Sequence, residues 1–302
     1  MVVDQVIEQT IAKKNPSCVG LDPDMDKIPK CYKEIAGSPT EVIWKWACDV
    51  IDCIEDIVGI IKPQMAFYEI YGGDGMDVFA RIVQYAHKKG MVVIDDCKRN
   101  DIGNTAKAYA YAHLATDGPI NADFMTVSPF LGTDSMEPFI ELAIREKKGL
   151  FILVKTSNPS SVQISDSRNE KNQKVRNWLA DYVHVNGKKC VGENGYSSIG
   201  AVVGATFPEE AKELRRIMPG NYFLVPGFGA QGGTVEDIVT CFNPDGLGAA
   251  VNSSRGILYQ YTNIQEFDNS RTMYLDIVRE QAVLMQQQIY GELKNKYAEM
   301  VY

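Results

Sequence analysis

The stretch Met91-Val92-Val93-Ile94-Asp95-Asp96-Cys97-Lys98-Arg99-Asn100-Asp101 decides how this chain is read, because an apolar run passes directly into a cluster of acids and bases. Strand side chains alternate between faces, so Asp96 and Lys98 share the face of Ile94 while Asp95 and Cys97 point the other way. An unalternating apolar run is what a strand buried on both faces looks like, and the charges beyond it mark where such a strand opens into a site. Acids on both sides of Lys98 leave its ammonium poised as a proton donor, with its charge held by neighbouring groups and not by water.

Working outward, runs of the same kind begin at Ser17, Val58, Phe124, Leu150, Gly200, Tyr222 and Gly248, making eight with the one at Met91. Helical patterns separate them, as in Val175, Trp178, Leu179, Tyr182 and Val183, spaced to share one helix face. Eight buried strands alternating with helices predict an α/β fold, a (β/α)8 TIM barrel, occupying residues 1–302 as a single domain. Extra N- and C-terminal helices are expected over residues 2–13 and about 270–299. Residues 158–174, rich in Ser, Asn and charge, are expected to form a loop over the mouth of the barrel.

Composition narrows the function. With 31 basic against 39 acidic residues the net charge is -8, which excludes a general nucleic-acid surface or a polybasic membrane patch. An anionic ligand must then be gripped by a few placed groups. The seven cysteines form no C-x-x-C pair, so neither a disulfide framework nor a zinc site is expected. No segment reaches the ~20 apolar residues of a membrane helix, and the N-terminus lacks a leader pattern, so a cytoplasmic location is expected. His87, His113 and His184 fall in helical patterns away from strand ends and are read as structural.

In such barrels chemistry sits at the C-terminal strand ends, which here are unusually polar. Asp22 and Asp24 follow the first run, Lys62 and Gln64 close the second, and Thr156-Ser157-Asn158 follows the fifth. The seventh ends in Pro226-Gly227-Phe228-Gly229-Ala230-Gln231-Gly232-Gly233 and the eighth in Ser254-Arg255-Gly256. Those last two predict a phosphate site: glycines admit an oxyanion close to the backbone, Arg255 supplies fixed charge, and Thr234 would cap a helix whose positive end faces the ligand.

Together these residues resemble the orotidine 5'-monophosphate decarboxylase family, in the branch with long insertions. The pattern D-x-K-x-x-D-I-x-x-T is complete as Asp96, Lys98, Asp101, Ile102 and Thr105, and Lys62, Asp22, the Thr156-Ser157-Asn158-Pro159 run, the Pro226–Gln231 segment and Arg255-Gly256 also match. The resemblance implies a homodimer that decarboxylates orotidine 5'-monophosphate with no cofactor and no metal. Lys98 would be the acid in a charge network with Lys62, Asp96 and Asp101. Asp101, Ile102 and Thr105 would reach the neighbouring subunit's site, and Asp22 with Lys62 would contact the ribose. Ser157 would read the pyrimidine edge, and Pro226, Gln231 and Arg255 would line or hold the phosphate. Orotate phosphoribosyltransferase, carried on a separate chain, is a further conceivable partner. Two rivals stay open: a Mg2+-dependent sugar-phosphate decarboxylase or aldol synthase on the same barrel, and a non-catalytic nucleotide-binding barrel.

Overall fold

The computed structural model describes residues 1–229 and 232–302. In them eight parallel strands close into a barrel in chain order: β1 Ser17–Leu21, β2 Ile60–Pro63, β3 Val92–Arg99, β4 Phe124–Val127, β5 Gly149–Lys155, β6 Ser197–Val203, β7 Asn221–Val225 and β8 Ala249–Ser253. Closure is made by β1 against β8, with Ser17 opposite Val251. The apolar runs therefore mark the strands as expected, within a few residues at their ends. The difference that matters lies in β3, which does not stop at Ile94 but carries the charged residues as strand through Arg99.

Burial on both faces explains the unalternating sequences. Outward side chains such as Val19, Ile61, Val93, Met125 and Ile152 pack against the helices, while Cys18, Ile60, Val92, Phe124, Phe151 and Tyr222 fill the interior. Phe124 and Phe151 stack at 4.9 Å between ring centres, and the strands admit them because a Cβ on Gly149 would lie 2.2 Å from the Phe124 ring. The helix Val2–Lys13 closes the bottom, burying Val2, Val3, Val6 and Ile7 against this inner layer. A plugged bottom leaves only the opposite end, where the strands' C-termini lie, open for chemistry. The C-terminal helix Arg271–Lys296 packs outside, and the Trp46 indole donates to Tyr274 Oη at 2.7 Å to join it to the helix Pro39–Ile54.

Residues 158–174 are more ordered than their composition suggests. They begin with the turns Pro159–Ser161 and Val162–Ser165. Asp166 then accepts from the buried Lys155 Nζ at 3.4 Å and from Arg176, so the segment is clamped to β5 and to the helix Val175–Gly187. The physical reason is Lys155 itself: a fully buried ammonium requires a counter-charge, and this insertion supplies it.

Candidate active site

The mouth of the barrel is a cavity of about 670 Å3, floored by inward side chains including Leu153, Val202 and Leu224. At its centre is Asp96. Lys62 Nζ donates to Oδ2 at 2.6 Å, Lys98 Nζ to Oδ1 at 2.5 Å, Thr126 Oγ1 to Oδ1 at 3.1 Å and Gln64 Nε2 to Oδ2 at 3.3 Å. Burial alone would raise the Asp96 carboxyl, but the two ammonium groups outweigh it and hold it well below the usual carboxylate range. Burial likewise opposes charge on Lys62, yet Asp96 and Asp22 outweigh that and keep it firmly protonated. Lys98 differs in access. Its side chain is 44% exposed against 6% for Lys62, so Lys98 is the ammonium free to meet a ligand.

The alternation expected for β3 holds: Asp96 and Lys98 face the cavity, while Asp95 and Cys97 are buried outside the barrel. What alternation does not contain is the backbone of Lys98, which sits in the left-handed region at φ 47°. A non-glycine residue there costs roughly 1–3 kcal/mol and persists only where its surroundings impose it. The pairing of β3 with β4 slips between Asp95 and Arg99, and the Lys98 amide donates to Thr126 Oγ1 at 2.8 Å. Thr126 thus fixes both the backbone of Lys98 and the carboxylate that Lys98 bonds.

Asp22 lines the same cavity, with its Oδ1 buried and lacking any hydrogen-bond partner among the described residues. Asn252 Oδ1 on β8 is in the same condition. Buried acceptors without donors are costly, and both residues line the one cavity that a ligand bringing hydroxyl or N–H groups would enter. Thr156, Ser157 and Asn158 form a further wall. A Cβ on Gly204 would lie 2.8 Å from Ser157 Cα, so glycine at the end of β6 lets this wall approach.

Pro226, Gly227, Phe228, Ser254 and Arg255 line the cavity, with Gly227 at φ 100° and Gly229 at φ 70°, conformations suited to glycine. Thr234 caps the helix Val235–Val239, as expected. Thr234 accepts from the Asp237 amide and the Asp237 carboxylate takes the Thr234 N–H at 2.9 Å, which makes a capping box. Gln231 lies outside the described residues.

Asp101, Ile102 and Thr105 are not part of the wall formed by their own chain. Asp101 Oδ1 accepts from the Ile102 amide at 2.8 Å, Ile102 is 56% exposed, and Thr105 is exposed on the helix Gly103–Leu114. The histidines are bonded away from the cavity: His113 to Asp95 at 2.5 Å, His87 to Asp123 at 2.8 Å and His184 to Asn221 at 3.4 Å. Thr126 and Tyr259 are cavity residues that sequence reasoning missed. Thr126 had a signal, as the one polar residue in the run Phe124-Met125-Thr126-Val127. Tyr259 had none.

The family model for the orotidine 5'-phosphate decarboxylase / HUMPS family matches residues 16–266. The chain is 39% identical over 286 residues to an orotidine 5'-phosphate decarboxylase of Rhodopirellula baltica, covering 91% of this chain and 94% of the relative. It is 37% identical to one of Clostridium novyi, covering 97% and 99%. Among solved structures, Leishmania donovani OMP decarboxylase superposes with a TM-score of 0.72 at 26% identity, covering 96% of this chain and 99% of that one.

Proposed function

The chain belongs to the orotidine 5'-phosphate decarboxylase / HUMPS family, and from that premise we propose that it converts orotidine 5'-monophosphate to uridine 5'-monophosphate and carbon dioxide. The observation that carries this is the row Lys62–Asp96–Lys98 beside an unpartnered Asp22 in one cavity.

The chemistry follows from where charge develops. When the C6–carboxylate bond breaks, its electron pair stays on C6 in an sp2 orbital that cannot delocalise into the ring, so the site must stabilise it electrostatically. The Lys98 ammonium offsets that charge and then passes a proton to C6, becoming a neutral amine that solvent reprotonates. Asp96 near the departing carboxylate makes the bound reactant less comfortable, while holding Lys98 in place. Asp22 and Lys62 take the ribose hydroxyls, Ser157 reads the pyrimidine edge, and Arg255, with Pro226 and Gln231 in the same segment pair, takes the phosphate.

Asp101, Ile102 and Thr105 act in a partner's site across a homodimer. Exposed apolar side chains follow three consecutive strands, Ile70 after β2, Ile102 after β3 and Phe130 and Leu131 after β4, and so gather on one side of the mouth, where a second copy would cover them. Location is likewise an inference. Among the described residues no helix is long and apolar enough to cross a membrane, which accords with a cytoplasmic enzyme.

A magnesium-dependent sugar-phosphate enzyme of the same family would need carboxylate oxygens for the metal. Both oxygens of Asp96 are already occupied by lysine ammonium groups, which favours the nucleotide reaction. The test is direct: chelator-treated protein is mixed with orotidine 5'-monophosphate and the orotate-type ultraviolet absorbance is followed. Its decay with release of uridine 5'-monophosphate is expected, and activity only after added Mg2+ would favour the rival.

A further inference from the structure

Tyr259 stands one helical turn beyond Arg255, its amide bonded to the Arg255 carbonyl at 3.1 Å at the end of the short helix Arg255–Leu258. Its ring is 5% exposed, and its hydroxyl reaches across the barrel seam from the β8 side to the β1 side. There it donates to the Asp22 carbonyl at 2.6 Å and accepts from the Asp24 amide at 2.9 Å. One oxygen therefore holds the main chain on both sides of Pro23.

A second contact tightens the same seam. A Cβ on Gly20 would lie 1.9 Å from Ser254 Oγ and 3.2 Å from Asn252 Oδ1, so β1 and the residue preceding Arg255 touch with no slack. The segment that carries Arg255 is thus in direct contact with the strand that leads into the β1 loop. That loop carries Asp22, whose buried Oδ1 has no partner among the described residues and whose charge helps hold Lys62 protonated.

We propose that Tyr259 is a positioning residue that couples the anion grip at Arg255 to the placement of the Asp22 carboxylate. This rests on the assignment of the cavity to a nucleoside monophosphate with its phosphate at Arg255. When the phosphate engages Arg255, the helix Arg255–Leu258 settles, the Tyr259 hydroxyl fixes the Asp22 carbonyl and the Asp24 amide, and the Asp22 side chain is aimed at a ribose hydroxyl beside Lys62. Without the phosphate the loop is freer, and part of the Asp22 interaction is lost.

The experiment is a double-mutant cycle on decarboxylation of orotidine 5'-monophosphate with Tyr259→Phe and Arg255→Ala. Tyr259→Phe keeps the ring and removes only the hydroxyl, so two hydrogen bonds go and kcat/KM should fall about tenfold in the wild-type background. In the Arg255→Ala background the same change should cost about twofold or less, because the anion grip it relays is already gone. Equal losses in both backgrounds, or no loss in either, would overturn the coupling. Amide hydrogen exchange on the unmutated protein gives an arm that does not depend on a variant folding. Protection of the Asp24 amide should rise several-fold more with saturating uridine 5'-monophosphate than with saturating uridine, and equal protection by both ligands counts against the proposal. If the unmutated protein leaves orotidine 5'-monophosphate unchanged, the assignment of the reaction is what fails; if it turns the substrate over and the cycle shows no coupling, only the role of Tyr259 does.

Discussion

Replacing Asp96 by Asn isolates what the central carboxylate contributes to stability as well as to turnover. Asp96 is 7% exposed and accepts from Lys62, Lys98, Thr126 and Gln64. The amide keeps the shape but loses the charge, and its NH2 group must face an ammonium. Lys62, 5% exposed, would be left as a buried cation with only Asp22 still opposing it. Removing one member of a buried pair costs about 3–5 kcal/mol, and because Asp22 remains the lower end applies, about 3 kcal/mol. In a chain of this size that corresponds to a fall in Tm of roughly 5 °C. The pH dependence has a definite sign. Asp96 is held below its unfolded pKa, so its contribution is present in full above the ordinary aspartate range and is lost as pH falls through and below it. Urea unfolding of both proteins at a series of pH values is the assay: the gap should be constant from about pH 8 to 5 and close only below about pH 4. A variant as stable as the parent at pH 7, or a gap that closes between pH 8 and 6, would refute the electrostatic account. Turnover should fall by at least about a hundredfold, since Lys98 loses the charged partner that orients it.

Lys98→Ala should abolish turnover by several orders of magnitude while leaving the affinity for uridine 5'-monophosphate nearly unchanged by calorimetry; retention of more than a tenth of the rate would remove Lys98 as the acid. Arg255→Ala should weaken nucleotide binding and narrow the preference for nucleotide over nucleoside, because a charge-assisted contact to phosphate is lost; an undiminished preference would place the phosphate elsewhere. Mixing inactive Lys98→Ala and Asp101→Ala proteins should restore roughly a quarter of wild-type activity, since random exchange makes about half of all dimers mixed, each with one intact site of two. If labelled subunits exchange and no activity returns, Asp101 serves its own chain.

Sequence by itself determined the barrel and the side of it on which chemistry occurs. Burial on both faces forces unalternating apolar runs such as Phe124–Val127, and the period-two rule then assigns Asp96 and Lys98 to one face without further information. Polar strand ends identified Asp22, Lys62, Ser157 and Arg255, which the fold gathers around one cavity from positions as far apart in sequence as β1 and β8. Local pattern could not determine quantities that depend on register between strands. The left-handed backbone of Lys98 exists because β3 slips against β4 and Thr126 bonds the freed amide, an event set by two strands together. Residues 158–174 read only as a loop over the mouth because the group that clamps them, Lys155, is buried at the end of a strand and its need for Asp166 is visible only in three dimensions. Tyr259 is the extreme case: its hydroxyl has meaning only through the Asp22 carbonyl and the Asp24 amide, main-chain groups more than two hundred residues away, and no spacing rule encodes a contact that barrel closure alone creates.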